Sequence, residues 1–169
     1  MKKMLLPVIT ALIVLTSCAA SKKLTAEQQY MNKQYKELKN VLNEAEVSIL
    51  NDSLKVIFPD HILFATASDQ LKDDIKPTFE RFAGVLNKYD KTKIMITGHT
   101  DNTGVAAYNR DLSERRAVSA KQLLNNNKVD NERMFTWGLA DRDPIGDNTT
   151  EAGKAKNRRV EFVILYNLK

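Results

Sequence analysis

The sequence predicts an α/β sandwich, a mixed β-sheet with helices on one face, on three observations. After Ser68, Ile75, Phe79, Phe82, Leu86 and Tyr89 recur at spacings of three and four, the period of an amphipathic helix. Lys93 to Thr97 alternates instead, with Ile94 and Ile96 on one face, and Arg159 to Tyr166 is the strongest strand pattern in the chain. Strands and helices therefore alternate along the sequence, and each must bury one face, which favours a layer of helices against a sheet.

Taken in order, the chain begins with Met1, Lys2 and Lys3, an apolar stretch from Met4 to Leu15 broken only by Pro7 and Thr10, and then Thr16, Ser17 and Cys18. A spanning helix needs about 20 apolar residues, so this shorter stretch suits a removable export signal over 1–17. Leu15, Thr16, Ser17 and Cys18 resemble the lipobox of bacterial lipoproteins, which implies a lipidated Cys18 as the first residue of the mature protein. Cys18 is the only cysteine, so no internal disulfide can form. Ala19 follows it where enteric bacteria place an aspartate for inner-membrane retention, which favours the outer membrane.

Residues 18–45 are read as a lipidated cysteine and helical tether. From Ser21 to Ala45 the sequence is rich in Lys, Glu, Gln and Asn and has no Gly or Pro, and Tyr30, Gln34, Leu38, Val41 and Ala45 form only a narrow, weakly apolar stripe. The expectation is a solvated helix with little core, spanning roughly 40 Å; the alternative is a helix docked on the domain. Residues 46–169 form the domain proper. Val47 to Leu50 and Leu54 to Phe58, separated by Asn51, Asp52 and Ser53, predict a small hairpin that Pro59 and Asp60 end. Ile62 to Phe64 is a brief apolar run, and Pro77 suits the first turn of the helix that follows. Gly98 to Asn109 reads as a polar loop and helix start. Leu112 to Leu124 reads as a helix burying Leu112, Ala117, Ala120 and Leu123 or Leu124, ended by Asn125, Asn126 and Asn127. Met134 to Trp137 is a strand, Gly138 to Asn148 a loop around Pro144, and Thr149 to Lys156 a short helix.

The formal charge of +5 falls to +3 once Lys2 and Lys3 are removed. The basic residues are scattered, and no aromatics interleave with them as a stacking platform for single strands would require, so nucleic acid is not an expected partner.

The stretch GHTDNTG, Gly98 to Gly104, is followed by Tyr108, Asn109, Leu112, Ser113, Arg116 and Ala117. A second cluster follows in Gly138, Pro144, Ile145, Asn148, Gly153, Asn157, Arg158, Arg159, Val160 and Glu161. Both resemble the OmpA-like peptidoglycan-binding family, which includes the peptidoglycan-associated outer-membrane lipoproteins and the flagellar stator anchors. The resemblance covers about Val47 to Tyr166 and implies a β-α-β-α-β domain with a mixed sheet. It departs from the family at Ala65, where relatives carry an acidic residue or asparagine after the phenylalanine, and at Ala140, where a second glycine is usual.

The resemblance also implies a ligand, the end of diaminopimelate in the peptidoglycan stem peptide, which carries an ammonium and a carboxylate on one carbon. Such a group needs one anion and one fork of donors. Asp101 suits the ammonium, and the planar guanidinium of Arg116 can hold the carboxylate with two parallel hydrogen bonds. Without the family, a plain Asp101 to Arg116 salt bridge pinning the loop is the alternative. Asn109 either bonds the ligand or fixes the loop, and Thr100 can offer its hydroxyl or amide. Asn157 and Arg158 match positions that contact the peptide or brace the pocket; strand alternation puts Arg158 and Arg159 on opposite faces, so one of them faces the ligand. Gly98 and Gly104 are expected as hinges with positive φ, and Leu112, Phe79 and Trp137 as core residues.

The implied function is therefore non-covalent wall binding by an outer-membrane lipoprotein facing the periplasm, with no cofactor and no catalysis, and with other envelope proteins as possible partners. Two rivals differ in kind: a structural or surface interaction lipoprotein without wall binding, and a metal-dependent hydrolase built on His99 and Asp101. The hydrolase would be short of ligands, since the only histidines are His61 and His99 and no cysteine is available to a site.

Overall fold

The computed structural model describes residues 24–167, and the expected signal segment 1–17, Cys18 and the residues up to Lys23 lie outside them. The chain runs through helix α1 (Ala26–Val41), strands β1 (Glu46–Leu50) and β2 (Ser53–Pro59), a one-turn helix α2 (Asp60–Leu63), helix α3 (Lys76–Lys88), strand β3 (Thr92–His99), helix α4 (Ala106–Asn126), strand β4 (Met134–Ala140), helix α5 (Glu151–Asn157) and strand β5 (Arg159–Tyr166). The five strands form one sheet in the order β1-β2-β5-β3-β4. Only β3 and β4 are parallel; the remaining neighbours are antiparallel. This is the mixed sheet expected from the alternation of elements.

One face of the sheet carries the core. Leu54, Val56 and Phe58 of β2, Ile94 and Ile96 of β3, and Val160, Phe162 and Ile164 of β5 are all buried, at alternate positions as a pleated strand requires. Phe58, Phe79, Phe82 and Phe162 meet with ring centroids between 5.1 and 6.1 Å apart, several edge to face. Pro77 lies in the first turn of α3, where its missing N–H costs no hydrogen bond. Helix α4 starts earlier than the apolar pattern suggests because its first turn, Ala106 to Asn109, is largely exposed and adds nothing to the buried stripe.

Helix α1 departs from the solvated tether that its composition suggests. Met31, Gln34, Leu38 and Leu42 are buried against the domain, and Leu38 has no exposed surface. Tyr30 packs edge to face on Tyr89 and Tyr166, and its hydroxyl accepts from the Lys91 amide at 3.1 Å. Glu37 accepts from Tyr89 and Lys88. Burial, with that hydrogen bond to Glu37, pushes the Tyr89 hydroxyl up to about 12. Arg81 of α3 reaches the Val41 carbonyl and the Glu44 carboxylate. Met31, Leu38 and Leu42 thus dock a helix whose outer side carries the exposed Lys33, Lys36 and Lys39. Its start is fixed by a capping box: Thr25 Oγ1 accepts from the Gln28 amide while Gln28 Oε1 accepts from the Thr25 amide.

Two further expectations are corrected. Trp137 is not a core residue; it lies on the uncovered face of the sheet, 46% exposed and stacked on Phe135. Gly98 is required for proximity, not for positive φ: a Cβ there would lie 2.0 Å from the Ser113 carbonyl oxygen of α4. Gly104 does adopt the left-handed conformation, with φ +92. Ala140 also adopts it, at φ 51, and completes the loop geometry that a glycine would take without strain. Phe79 and Leu112 are buried as expected, and Leu124 is the buried member of the Leu123 and Leu124 pair.

Candidate ligand-binding site

The singled-out polar residues collect where β3 and β4 end and β5 begins. After His99, Thr100 donates its amide to the Ala140 carbonyl at 2.8 Å, and its hydroxyl donates to the Asp101 carbonyl. The chain then turns: Asp101 Oδ1 accepts from the Thr103 amide at 2.8 Å. Asn109, one turn into α4, donates to the Thr103 carbonyl at 2.9 Å and to the Asp101 carbonyl at 3.4 Å. Through its Nδ2, Asn109 thus fixes the loop. The close approach at Gly98 lets α4 lie on β3, and Asn109 ties the loop to the first turn of the helix.

Asp101 and Arg116 do not pair with each other. Asp101 Oδ2 accepts from Arg158 Nη1 at 2.6 Å. Arg158 Nε lies 3.8 Å from Asp60 Oδ1, and Asp60 Oδ2 lies 3.3 Å from Arg116 Nη2. The four side chains form a line of alternating charge, Asp101, Arg158, Asp60 and Arg116. The plain Asp101 to Arg116 bridge is thus replaced by two internal pairs. Arg116 is 2% exposed; its Nε donates to the Ser68 carbonyl at 3.0 Å, and its guanidinium sits 5.1 Å from the Phe64 ring centroid. Its plane and position are set by Phe64, Ser68 and Asp60, and all three come from the segment joining β2 to α3. Arg116 lies in the middle of α4, deeper than the early turns expected for it.

Burial alone would raise the Asp101 carboxyl, but the hydrogen bonds from Arg158 and Thr103 outweigh it and hold the group below its ordinary value. Burial lowers the Arg116 guanidinium, with Asp60 acting in the opposite direction. An ionised carboxylate and a buried, oriented guanidinium at one strand end can receive an ammonium and a carboxylate together.

Arg158 and Arg159 diverge as expected, although Arg158 caps α5 and the strand begins only at Arg159. Arg158 faces Asp101 and Asp60. Arg159 is buried and turned away, donating to Glu161, to the Asn157 carbonyl and to the Asp143 carbonyl. Asn157 is fully used as a brace: its Oδ1 accepts from the Ile145 and Gly146 amides, and its Nδ2 donates to the Gly146 carbonyl and to Asn148. Ala65 is exposed and offers only a carbonyl, which accepts from the Ser68 amide. Asp60 is the residue the sequence reading missed. It is read there only as the end of a hairpin, and its contacts with Arg116 and Arg158 span distances in sequence that no local pattern records.

His99 is buried beneath the site, with Nε2 3.2 Å from Thr97 Oγ1 and Nδ1 3.2 Å from the Arg142 carbonyl. Burial, reinforced by the charge of Arg159, lowers its pKa, so it is neutral near pH 7. Among the described residues, no three His, Cys, Asp or Glu side chains lie together as a metal site would need.

Residues 63–158 match the OmpA family. Outer-membrane lipoprotein YfiB of Pseudomonas aeruginosa is 32% identical over 124 residues, which cover 73% of this chain and 74% of that protein. YiaD of Escherichia coli is 36% identical over 137 residues, 80% of this chain, and the match spans 63% of YiaD, less than two thirds of its length. Among solved structures, the cell wall anchor of the T6SS from Pseudomonas aeruginosa superposes with a TM-score of 0.68 at 29% identity, covering 82% of this chain and 96% of that one. The matched span runs from the segment that carries Phe64 and Ser68, through Asp101 and Arg116, to Arg158, and on that span the chain belongs to the OmpA family.

Proposed function

We propose that the chain binds peptidoglycan non-covalently from the outer membrane, to which lipid on Cys18 anchors it, so that it ties membrane to wall. The observation that carries this reading is the line of four charges at the strand ends, with Asp101 and Arg116 each holding an internal partner of opposite sign. The ammonium of diaminopimelate replaces Arg158 on Asp101, and the adjoining carboxylate replaces Asp60 on Arg116. The exchange is close to neutral in charge: Asp101 and Arg116 each gain a ligand group for the partner they release, and the released Asp60 and Arg158 retain each other. Thr100 and Asn109 hold the loop that aims Asp101. Asn157 braces the neighbouring loop, and Arg158 moves to the rim of the site. Relatives named as an outer-membrane lipoprotein and as a cell wall anchor support the same reading.

The reading is of binding without catalysis. His99, the residue on which a metal hydrolase would depend, has both ring nitrogens engaged by Thr97 and Arg142. The domain faces the periplasm, where the wall lies.

The test is cosedimentation of the chain from Ala19 with isolated sacculi. Asp101→Ala and Arg116→Ala are expected to lose about 2 to 5 kcal/mol of binding each, a drop of roughly 30-fold or more. Circular dichroism checks that the variants remain folded. Full binding by both folded variants removes the proposed site.

A further inference from the structure

The wall site occupies one pole of the sheet, and the opposite pole carries a feature that wall binding does not use. Where the hairpin of β1 and β2 turns, a groove of about 910 Å³ opens between α1 and the sheet, lined by Leu24, Met31, Ile49, Leu50, Leu165 and Tyr166 among others. Leu24, Ile49, Leu50 and Leu165 are each between 43% and 49% exposed. Four large aliphatic side chains half in water at one end of a domain form a patch of the kind that marks a contact.

The path of the chain says what that contact is. Because α1 is docked, the tether between Cys18 and the folded domain is not the 27 residues of a solvated arm but the six steps from Cys18 to Leu24. Those six steps reach at most about 20 Å. Leu24 itself lies on the rim of the groove. An anchor at Cys18 therefore brings this pole to the bilayer. The register of the sheet fixes the other end: Ser53 pairs with Leu165 at the groove, and Pro59 pairs with Arg159 at the wall site. One strand length, roughly 20 Å, separates the two poles. Lys22 and Lys23 immediately precede Leu24 in sequence and suit anionic headgroups, while Glu27 and Asp52 on the groove mark the polar border of the patch.

We infer that the pole formed by Leu24, Ile49, Leu50 and Leu165 beds in the headgroup region of the membrane that holds the lipid anchor, and that the wall site is thereby pointed away from the bilayer. The inference rests on the lipid-anchor reading. It assigns two jobs to the docked helix: α1 shortens the leash, and it completes the apolar pole. The domain then stands on the membrane in one orientation, with Asp101 and Arg116 at its far end.

Trp137 is the only tryptophan, and it lies on β4 near the wall pole. The test uses the acylated full chain in phosphatidylethanolamine and phosphatidylglycerol vesicles containing brominated acyl chains. The Leu50→Trp, Trp137→Phe chain should lose about half or more of its fluorescence to bromine, as expected for an indole 5 to 10 Å into the interface. The natural chain, whose indole is at position 137, should lose almost none. Equal, weak quenching of both chains overturns the inference, because the domain then hangs free of the membrane. A blue-shifted but unquenched indole at position 50 also overturns it, because residues 19–23 or a second copy of the chain then fill the groove. Intact mass measurement checks the acyl group on Cys18 separately. If it is missing, the anchor reading fails on its own, and the same quenching is measured after coupling the Cys18 thiol to a maleimide phospholipid. Sacculus binding by the vesicle-bound chain reports on the wall site independently of either result.

Discussion

Leu38→Ala tests the docking of α1 on which the shape of the molecule depends. Leu38 has no exposed surface and belongs to the same core cluster as Phe79, Phe82 and Leu86. Truncation removes three carbons from a fully packed site. The lost transfer energy and the residual cavity together cost about 2 to 5 kcal/mol. For a chain of this size each kcal/mol moves the midpoint by about 2 to 4 °C, so a loss near 3 kcal/mol lowers the melting temperature by roughly 6 to 12 °C. A solvated tether would lose less than about 0.5 kcal/mol at the same position. Urea unfolding of the chain from Ala19, with Lys36→Ala on the exposed side of the helix as the control, separates the two cases. If Leu38→Ala and Lys36→Ala unfold at the same midpoint, α1 is not packed as described.

Three further outcomes are expected. Gln34 is fully buried and neither its Nε2 nor its Oε1 finds a partner among the described residues, so Gln34→Met should raise stability by about 1 to 3 kcal/mol in the same urea assay; a loss would mean that the amide is satisfied. Two glycines should respond in opposite directions. Gly84 is an exposed position inside α3 with no atom near its missing Cβ, and Gly84→Ala should stabilise by about 0.5 to 1 kcal/mol, whereas Gly98→Ala drives a methyl into the Ser113 carbonyl and should lower both stability and sacculus binding. Stability should also fall in acid in two stages. Since His99 has a lowered folded pKa, the unfolded chain takes up its proton first as pH drops below the ordinary value of 6.5, and folding is weakened there. Asp101 and Glu161 are held below their ordinary values, so their contribution is complete above the carboxylate range and is lost as pH falls through it. Unfolding midpoints measured from pH 8 to pH 3 check both stages, and a rise in stability from pH 7 to pH 5.5 would contradict the assignment of His99.

The parts of the fold that could be read from sequence are those fixed by local period. The stripe from Ile75 to Tyr89 and the alternation at Ile94 and Ile96 record directly which side chains α3 and β3 bury. What could not be read depends on pairings distant in the chain. Phe135 and Trp137 share one face of β4 while Met134 shares the other with Thr136, but which face the helices cover follows from the strand order, so the large aromatics are the exposed pair. The docking of α1 is hidden because Met31, Leu38 and Leu42 are few among many charges: the stripe of Tyr30, Gln34, Leu38, Val41 and Ala45 does lie on the packed side, but one so narrow suits a solvated helix equally well. The capping box at Thr25 and Gln28 marks where the helix begins, and the reading of a helix from Ser21 passed over it. In the site, Asp101 and Arg116 stand out through the family motif. Asp60 and the pairing of Arg158 with Asp101 do not, since they arise only when the segment after β2 folds against α4 and the start of β5.

Recognition of a carbon bearing both an ammonium and a carboxylate is the property proposed for the strand ends. It is tested most directly by titrating the chain from Ala19 with a stem peptide ending in diaminopimelate and with its lysine counterpart. Lysine presents the ammonium to Asp101 but leaves Arg116 on its internal partner. The diaminopimelate peptide should bind about 30-fold or more tightly, the difference of a buried charge-assisted fork, and Arg116→Ala should abolish this preference. Equal affinity for the two peptides would contradict it.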